Sequence, residues 1–145
     1  MTEFPIGQGH GVEGRYGGLT DDFSDLAASK VVILPVPFDL TTTYQHGTEK
    51  GPAALIEASR NMELYDIETE SSVYEVGIHT APPVLANSCE ELRHELHQRV
   101  AEYLEQDKFV VTLGGEHSIS YSPIKAYAEK YPGITVLQID AHADL

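Results

Sequence analysis

Short, continuous, β-branched apolar runs alternate with stretches of helical periodicity, and this alternation constrains the fold more than any other feature. Lys30–Val36, Phe109–Leu113 and Ile134–Ile139 each read as a strand buried on both faces. Pro35 and Pro37 should end pairing of the first. Residues 73–78 form a weaker strand candidate. Pro52 opens a helical stretch reaching about Tyr65. Ser88 reads as an N-cap, with Glu90 and Glu91 in the first turn and Leu92, Leu96, Val100 and Leu104 following at four-residue steps. Ser118 to Tyr131 reads as a further helix, placed before the last strand. The order strand, helix, strand, helix, strand, helix, strand predicts an α/β fold, a parallel sheet with helices on both faces. Residues 1–29, with Gly7, Gly9, Gly11, Gly14, Gly17 and Gly18 close together, read as an irregular glycine-rich arm before a domain spanning 30–145.

Composition removes several function classes. The chain has 145 residues, 41% of them hydrophobic, enough for one domain with a buried core. Its 23 acidic and 9 basic side chains give a formal charge of −14. Nucleic-acid and anionic-membrane binding need clustered Lys and Arg, so neither partner is expected. Cys89 is the single cysteine, which rules out an internal disulfide and fits a reducing compartment. No apolar stretch approaches the roughly 20 residues of a membrane helix. Met1-Thr2-Glu3-Phe4 has neither a basic nor an apolar leader, so a cytoplasmic location is expected. The chain closes in the loop straight after its last apolar run. It is therefore expected to be the amino-terminal part of something longer, with its sheet truncated after the fourth strand.

In open α/β sheets, ligands bind at the carboxyl ends of the strands. The third strand runs into Gly114-Gly115-Glu116-His117-Ser118, and the fourth into Asp140-Ala141-His142-Ala143-Asp144. In an extended segment, spacing by two places Asp140, His142 and Asp144 on one face. Three such groups together need positive compensation, and a divalent metal supplies it. Oxygen and nitrogen donors without thiolate favour Mn, Zn, Fe or Co. One Asp or one His alone would read as a cap or an ordinary hydrogen-bonded residue; the pair of motifs is what favours a metal.

Those two motifs resemble the amino-terminal signatures of the ureohydrolase (arginase and agmatinase) family. Pro35-Val36-Pro37-Phe38-Asp39 and the segment from Tyr44 to Pro52 add to the likeness, which is greatest for the agmatinase branch. The resemblance implies an arginase-like three-layer fold in which later strands lie between the third and fourth. It implies two Mn2+ per site in the complete protein. His117 would bind one metal and His142 the other; Asp140 would bridge both, and Asp144 would bind the first and also serve catalysis by orienting a hydroxide held between them. Glu116 would orient His117. The reaction implied is hydrolysis of the guanidinium group of agmatine, or of a related guanidino compound, to an amine and urea. A small cationic substrate and a homo-oligomeric complete protein go with it. Further ligands of the family lie beyond Leu145. The 145 residues alone are therefore expected to bind metal poorly, to lack activity and to be aggregation-prone.

Other residues have plainer readings. His46, in the loop after the first strand, is a candidate substrate-binding residue at the correct end of the sheet; an ordinary loop histidine is the alternative. Tyr44 reads as a loop anchor or a ligand contact. His94 and His97 read as a solvated helix face. Ser118 lacks a nucleophile elbow and reads as a cap. A catalytically inactive metal-binding or interaction module on the same scaffold is the rival function. A nucleotide-binding domain would need a glycine-rich loop after the first strand, which Pro35-Val36-Pro37-Phe38-Asp39 does not supply.

Overall fold

A computed structural model describes residues 11–143. Strands β1 (Val31–Val36), β2 (Ile78–Thr80) and β3 (Phe109–Gly114) form a parallel sheet in the order β2-β1-β3. The helices are α1 (Asp21–Ser24), α2 (Gly51–Ser59), α3 (Cys89–Glu105) and α4 (Tyr121–Lys130). Pleating sends Val32, Leu34 and Val36 to one face, where each is fully buried. There they join Val110, Leu92, Leu96, Val100, Leu104, Ile119 and Ala126, so α3 and α4 cover that face. Each such Leu or Val contributes about 2 kcal/mol by leaving water. Ile33 and Pro35 point the other way, toward α2, whose Ile56 is buried. The expected helices on both faces are therefore present.

The long helix starts and stops for local reasons. Ser88 Oγ accepts the Glu91 N–H at 3.1 Å. Glu91 Oε2 accepts the Asn87 N–H at 2.7 Å, so two backbone donors at the helix start are satisfied. At its far end the Lys130 ammonium of α4 donates to the Leu104 carbonyl, placing a cation against the negative end of the helix. Ser122 Oγ donates to Arg93 O at 3.1 Å, and His97 Nε2 lies 2.7 Å from Glu129 Oε2, tying α3 to α4. His97 thus serves a helix–helix contact rather than a merely solvated face. Ser88→Ala is expected to cost about 1 kcal/mol, read as a lower urea midpoint at unchanged slope.

Several elements differ from the sequence-based expectation. Pro35 stays within β1, opposite Leu113. Its carbonyl accepts the Val84 N–H at 2.9 Å, on the side where Ile33 O accepts Ala81 N–H. The Pro35 nitrogen therefore faces the margin beyond Thr80, where β2 has ended and no donor is required. The candidate strand at 73–78 is instead a 3-10 turn (Val73–Val76), and β2 begins only at Ile78. Gly77 separates them with φ 79°, and a Cβ there would lie 2.6 Å from Ser29 Cα. Residues 117–120 form a 3-10 turn before α4, and α2 stops at Ser59.

The largest difference is the fourth strand. Residues 134–139 pair with none of the described strands, and Leu137 and Ile139 are 83% and 92% exposed. An apolar run becomes a strand only when a neighbour takes its backbone groups. The described sheet thus has β1 at its centre and β3 at an edge, instead of the four strands expected. Residues 11–29 hold only single helical turns, but they are pinned: Tyr16 N–H donates to Thr80 Oγ1 at 2.9 Å and Gly17 N–H to Ser59 Oγ at 2.7 Å.

Candidate functional site

The carboxyl ends of β1 and β3 meet through backbone contact. Glu116 N–H donates to Phe38 O at 3.0 Å. A Cβ on Gly115 would lie 2.1 Å from Phe38 O and 2.8 Å from Phe38 N, so only glycine permits the approach. At Gly114 a Cβ would lie 2.2 Å from Ile119 Cδ1, the end of a side chain and so a less rigid neighbour. The glycine pair thus lets the chain turn sharply into Glu116 and His117 at the sheet's edge.

Two carboxylates organise the loops there. Glu116 Oε1 accepts the Thr41 N–H at 3.2 Å, the Thr41 hydroxyl, and the Ser118 hydroxyl at 3.1 Å. Asp39 accepts the Thr42 hydroxyl, the Gly47 N–H at 2.6 Å and the Thr48 hydroxyl at 3.0 Å. The Thr42 hydroxyl foremost, then the Glu49 carboxyl and the Gly47 N–H, hold Asp39 far below the usual carboxylate range. His46 lies in this loop with Nδ1 3.5 Å from Asp39 Oδ2 and its ring mostly in solvent. Tyr44 is 97% exposed, so it does not anchor the loop. The contribution of Thr41 escaped the sequence reading. The signal for it was three threonines directly after Asp39 at a strand's carboxyl end, a composition suited to side-chain-to-backbone turns.

His117 is exposed at the start of the turn leading to α4. Asp140 Oδ1 accepts the His142 N–H at 2.9 Å and lies 3.5 Å from His142 Nδ1. That bond, foremost, lowers the Asp140 pKa; partial desolvation opposes it, and the charges of His117 and then His142 lower it further. Asp140 therefore senses both histidines. The expected extended geometry is absent: the Asp140 side chain folds back on the backbone two residues on, and it is this turn that sets its carboxylate beside the His142 ring. Asp144 lies outside the described residues.

In kind, an imidazole at 117, a carboxylate at 140 and an imidazole at 142 suit a divalent metal. As placed they do not complete a site, since among the described residues no three His, Cys, Asp or Glu are gathered closely enough to hold an ion. A cleft of about 500 Å³ lies beside β1 and α2, lined by Glu13, Glu49, Glu57 and Pro35 among others. It contains neither His117, Asp140 nor His142. The carboxyl-edge loops are the better candidate, because imidazole and carboxylate from separate segments interact there. Among the described residues no helix is long and apolar enough to cross a membrane.

Comparison with known proteins places this architecture. The chain is 39% identical over 119 residues to an N(1)-aminopropylagmatine ureohydrolase of Thermus thermophilus, covering 81% of this chain and 41% of that protein. It is 36% identical over 119 residues to an agmatinase of Bacillus cereus, with the same coverage. The chain thus spans about two-fifths of the length of the curated relatives it matches. A solved structure of Trypanosoma cruzi formiminoglutamase with Mn2+ superposes with a TM-score of 0.70 at 23% identity, covering 84% of this chain and 42% of that one. Residues 29–145 match the arginase family, and that match, with the parallel sheet and the glycine turn into His117, shows that the chain belongs to the arginase family.

Proposed function

We propose that the complete protein is a manganese-dependent ureohydrolase, hydrolysing the guanidinium group of agmatine, or of an agmatine bearing a further amine, to an amine and urea. The observation that carries this reading is the match of residues 29–145 to the arginase family, together with the glycine turn that brings Glu116 and His117 to the carboxyl end of the sheet. Identity to an aminopropylagmatine ureohydrolase and to an agmatinase supports the substrate class. His117, Asp140, His142 and Asp144 would be this chain's donors to two metal ions. When bound, such ions supply a nucleophile near neutral pH and stabilise charge developing at the guanidinium carbon. The Asp140 carboxylate, held ionised, is suited to a cation, and the overall charge of −14 suits a cationic substrate. A homo-oligomer in the cytoplasm, without nucleic-acid or membrane partners, belongs to the same reading.

The test is urea release by the full-length gene product with added Mn2+, offered agmatine, N(1)-aminopropylagmatine, arginine and guanidinobutyrate. Urea from either agmatine compound in preference to arginine is the expected result. Manganese binding without urea from any of the four would overturn the enzymatic reading in favour of an inactive metal-binding module.

A further inference from the structure

We infer that Glu116 is a positioning residue: it hangs the loop of residues 39–49 at the mouth of the site, so that substrate affinity depends on its contact with Thr41. The inference rests on the ureohydrolase reading and adds to it the element that shapes the mouth.

The loop has little else to fix it. Its regular structure is limited to the 3-10 turn Thr48–Lys50 at its end. Leu40 and Tyr44, its large apolar side chains, are 56% and 97% exposed, so apolar burial does not hold it. Its order comes from polar contacts. Asp39 closes the loop on itself through Gly47 and Thr48. Among the described residues, the hydrogen bonds that tie it outward, to the β3 side, are those of the Thr41 N–H and hydroxyl converging on Glu116 Oε1. Bonds to an ionised carboxylate are stronger than neutral ones, and two from one residue fix orientation as well as distance. Glu116 immediately precedes His117, and its N–H is fixed to Phe38 O. The turn that presents the imidazole therefore also sets where the loop sits beside it. A guanidino compound approaching His117 along the sheet's carboxyl edge would meet a wall already in place, at a lower ordering cost.

The experiment compares Thr41→Val and Thr41→Ser with wild type in the full-length gene product, with Mn2+ and agmatine. Thr41→Val removes one donor to Glu116 and keeps the backbone N–H. KM is expected to rise about tenfold, with kcat within about threefold and manganese content unchanged. Thr41→Ser retains the hydroxyl and is expected to restore KM. A KM within twofold of wild type for Thr41→Val overturns the inference. A fall in kcat together with lost manganese also overturns it, because Glu116 would then be acting through His117 and the metal. Amide exchange gives a second readout that needs no activity: residues 41–47 are expected to exchange about tenfold faster in Thr41→Val, with β3 unaffected. No acceleration refutes the contact. A wild-type protein that releases no urea from any guanidino compound refutes the functional reading instead, and the exchange experiment still decides whether Glu116 holds the loop.

Discussion

Gly115→Ala is expected to lower the unfolding free energy by about 3 kcal/mol. The added methyl would lie 2.1 Å from Phe38 O and 2.8 Å from Phe38 N, both backbone atoms. A flexible side chain could swing away at small cost; this neighbour cannot. Phe38 is itself buried at 2% exposure, its N–H donates to Val36 O at 2.9 Å, and its carbonyl receives Glu116 N–H. Relief requires the ends of β1 and β3 to part, which breaks the Glu116–Phe38 bond and draws Glu116 away from Thr41. The loss should appear as a lower urea midpoint, with faster amide exchange at Glu116. Ser118→Ala is the matched control, since it deletes only one hydroxyl that donates to Glu116. It is expected to cost about 1 kcal/mol or less. Equal midpoints for the two variants would refute the close approach.

On the proposed ureohydrolase function, Asp140→Asn in the full-length gene product is expected to reduce urea release about a thousandfold, equivalent to roughly 4 kcal/mol at the transition state. Asparagine has nearly the same shape, and its Oδ1 can still accept the His142 N–H, so the turn at 140–142 should persist. What disappears is the negative charge of the carboxylate, which lies 3.5 Å from His142 Nδ1. Manganese affinity is expected to fall at least tenfold, by analogy with the cost of losing even an outer partner of a metal site. Far-ultraviolet circular dichroism should be unchanged. Urea release within tenfold of wild type would mean that this carboxylate is not part of the machinery.

How far the sequence revealed this arrangement depended on whether the information was local. β1 and β3 were legible because their continuous β-branched runs are each other's partners, paired in parallel from Val31 with Phe109 to Val36 with Gly114. The start of α3 was legible because Ser88 and Glu91 act on backbone groups within one turn. β2 was misplaced because Val73–Val76 has the composition of a strand, whereas the path is set by the approach of Gly77 to Ser29, far away in sequence. Residues 134–139 carry the strand pattern clearly; pairing, however, depends on another segment's free edge, which no local pattern encodes. The glycine turn into His117 was correctly located. The spacing-by-two argument assumed extended backbone at 140–142, whereas a carboxylate followed by available N–H groups bends back, and the Asp140 and His142 side chains meet through that turn. Glu116 was assigned to His117, but its observed partners include Thr41, from a loop 75 positions away in sequence.

Pro35 has an effect beyond its own position. β2 meets β1 over only three residue pairs, Val31 with Ile78, Val32 with His79 and Ile33 with Thr80. So short a ladder has little side-chain pattern with which to choose its alignment. Sliding β2 forward by two residues would keep every side chain on its proper face, yet it would set Thr80 beside an imino nitrogen that has no hydrogen to give. The ring thereby acts as a mechanical stop, keying the small ladder to a single setting from the neighbouring strand.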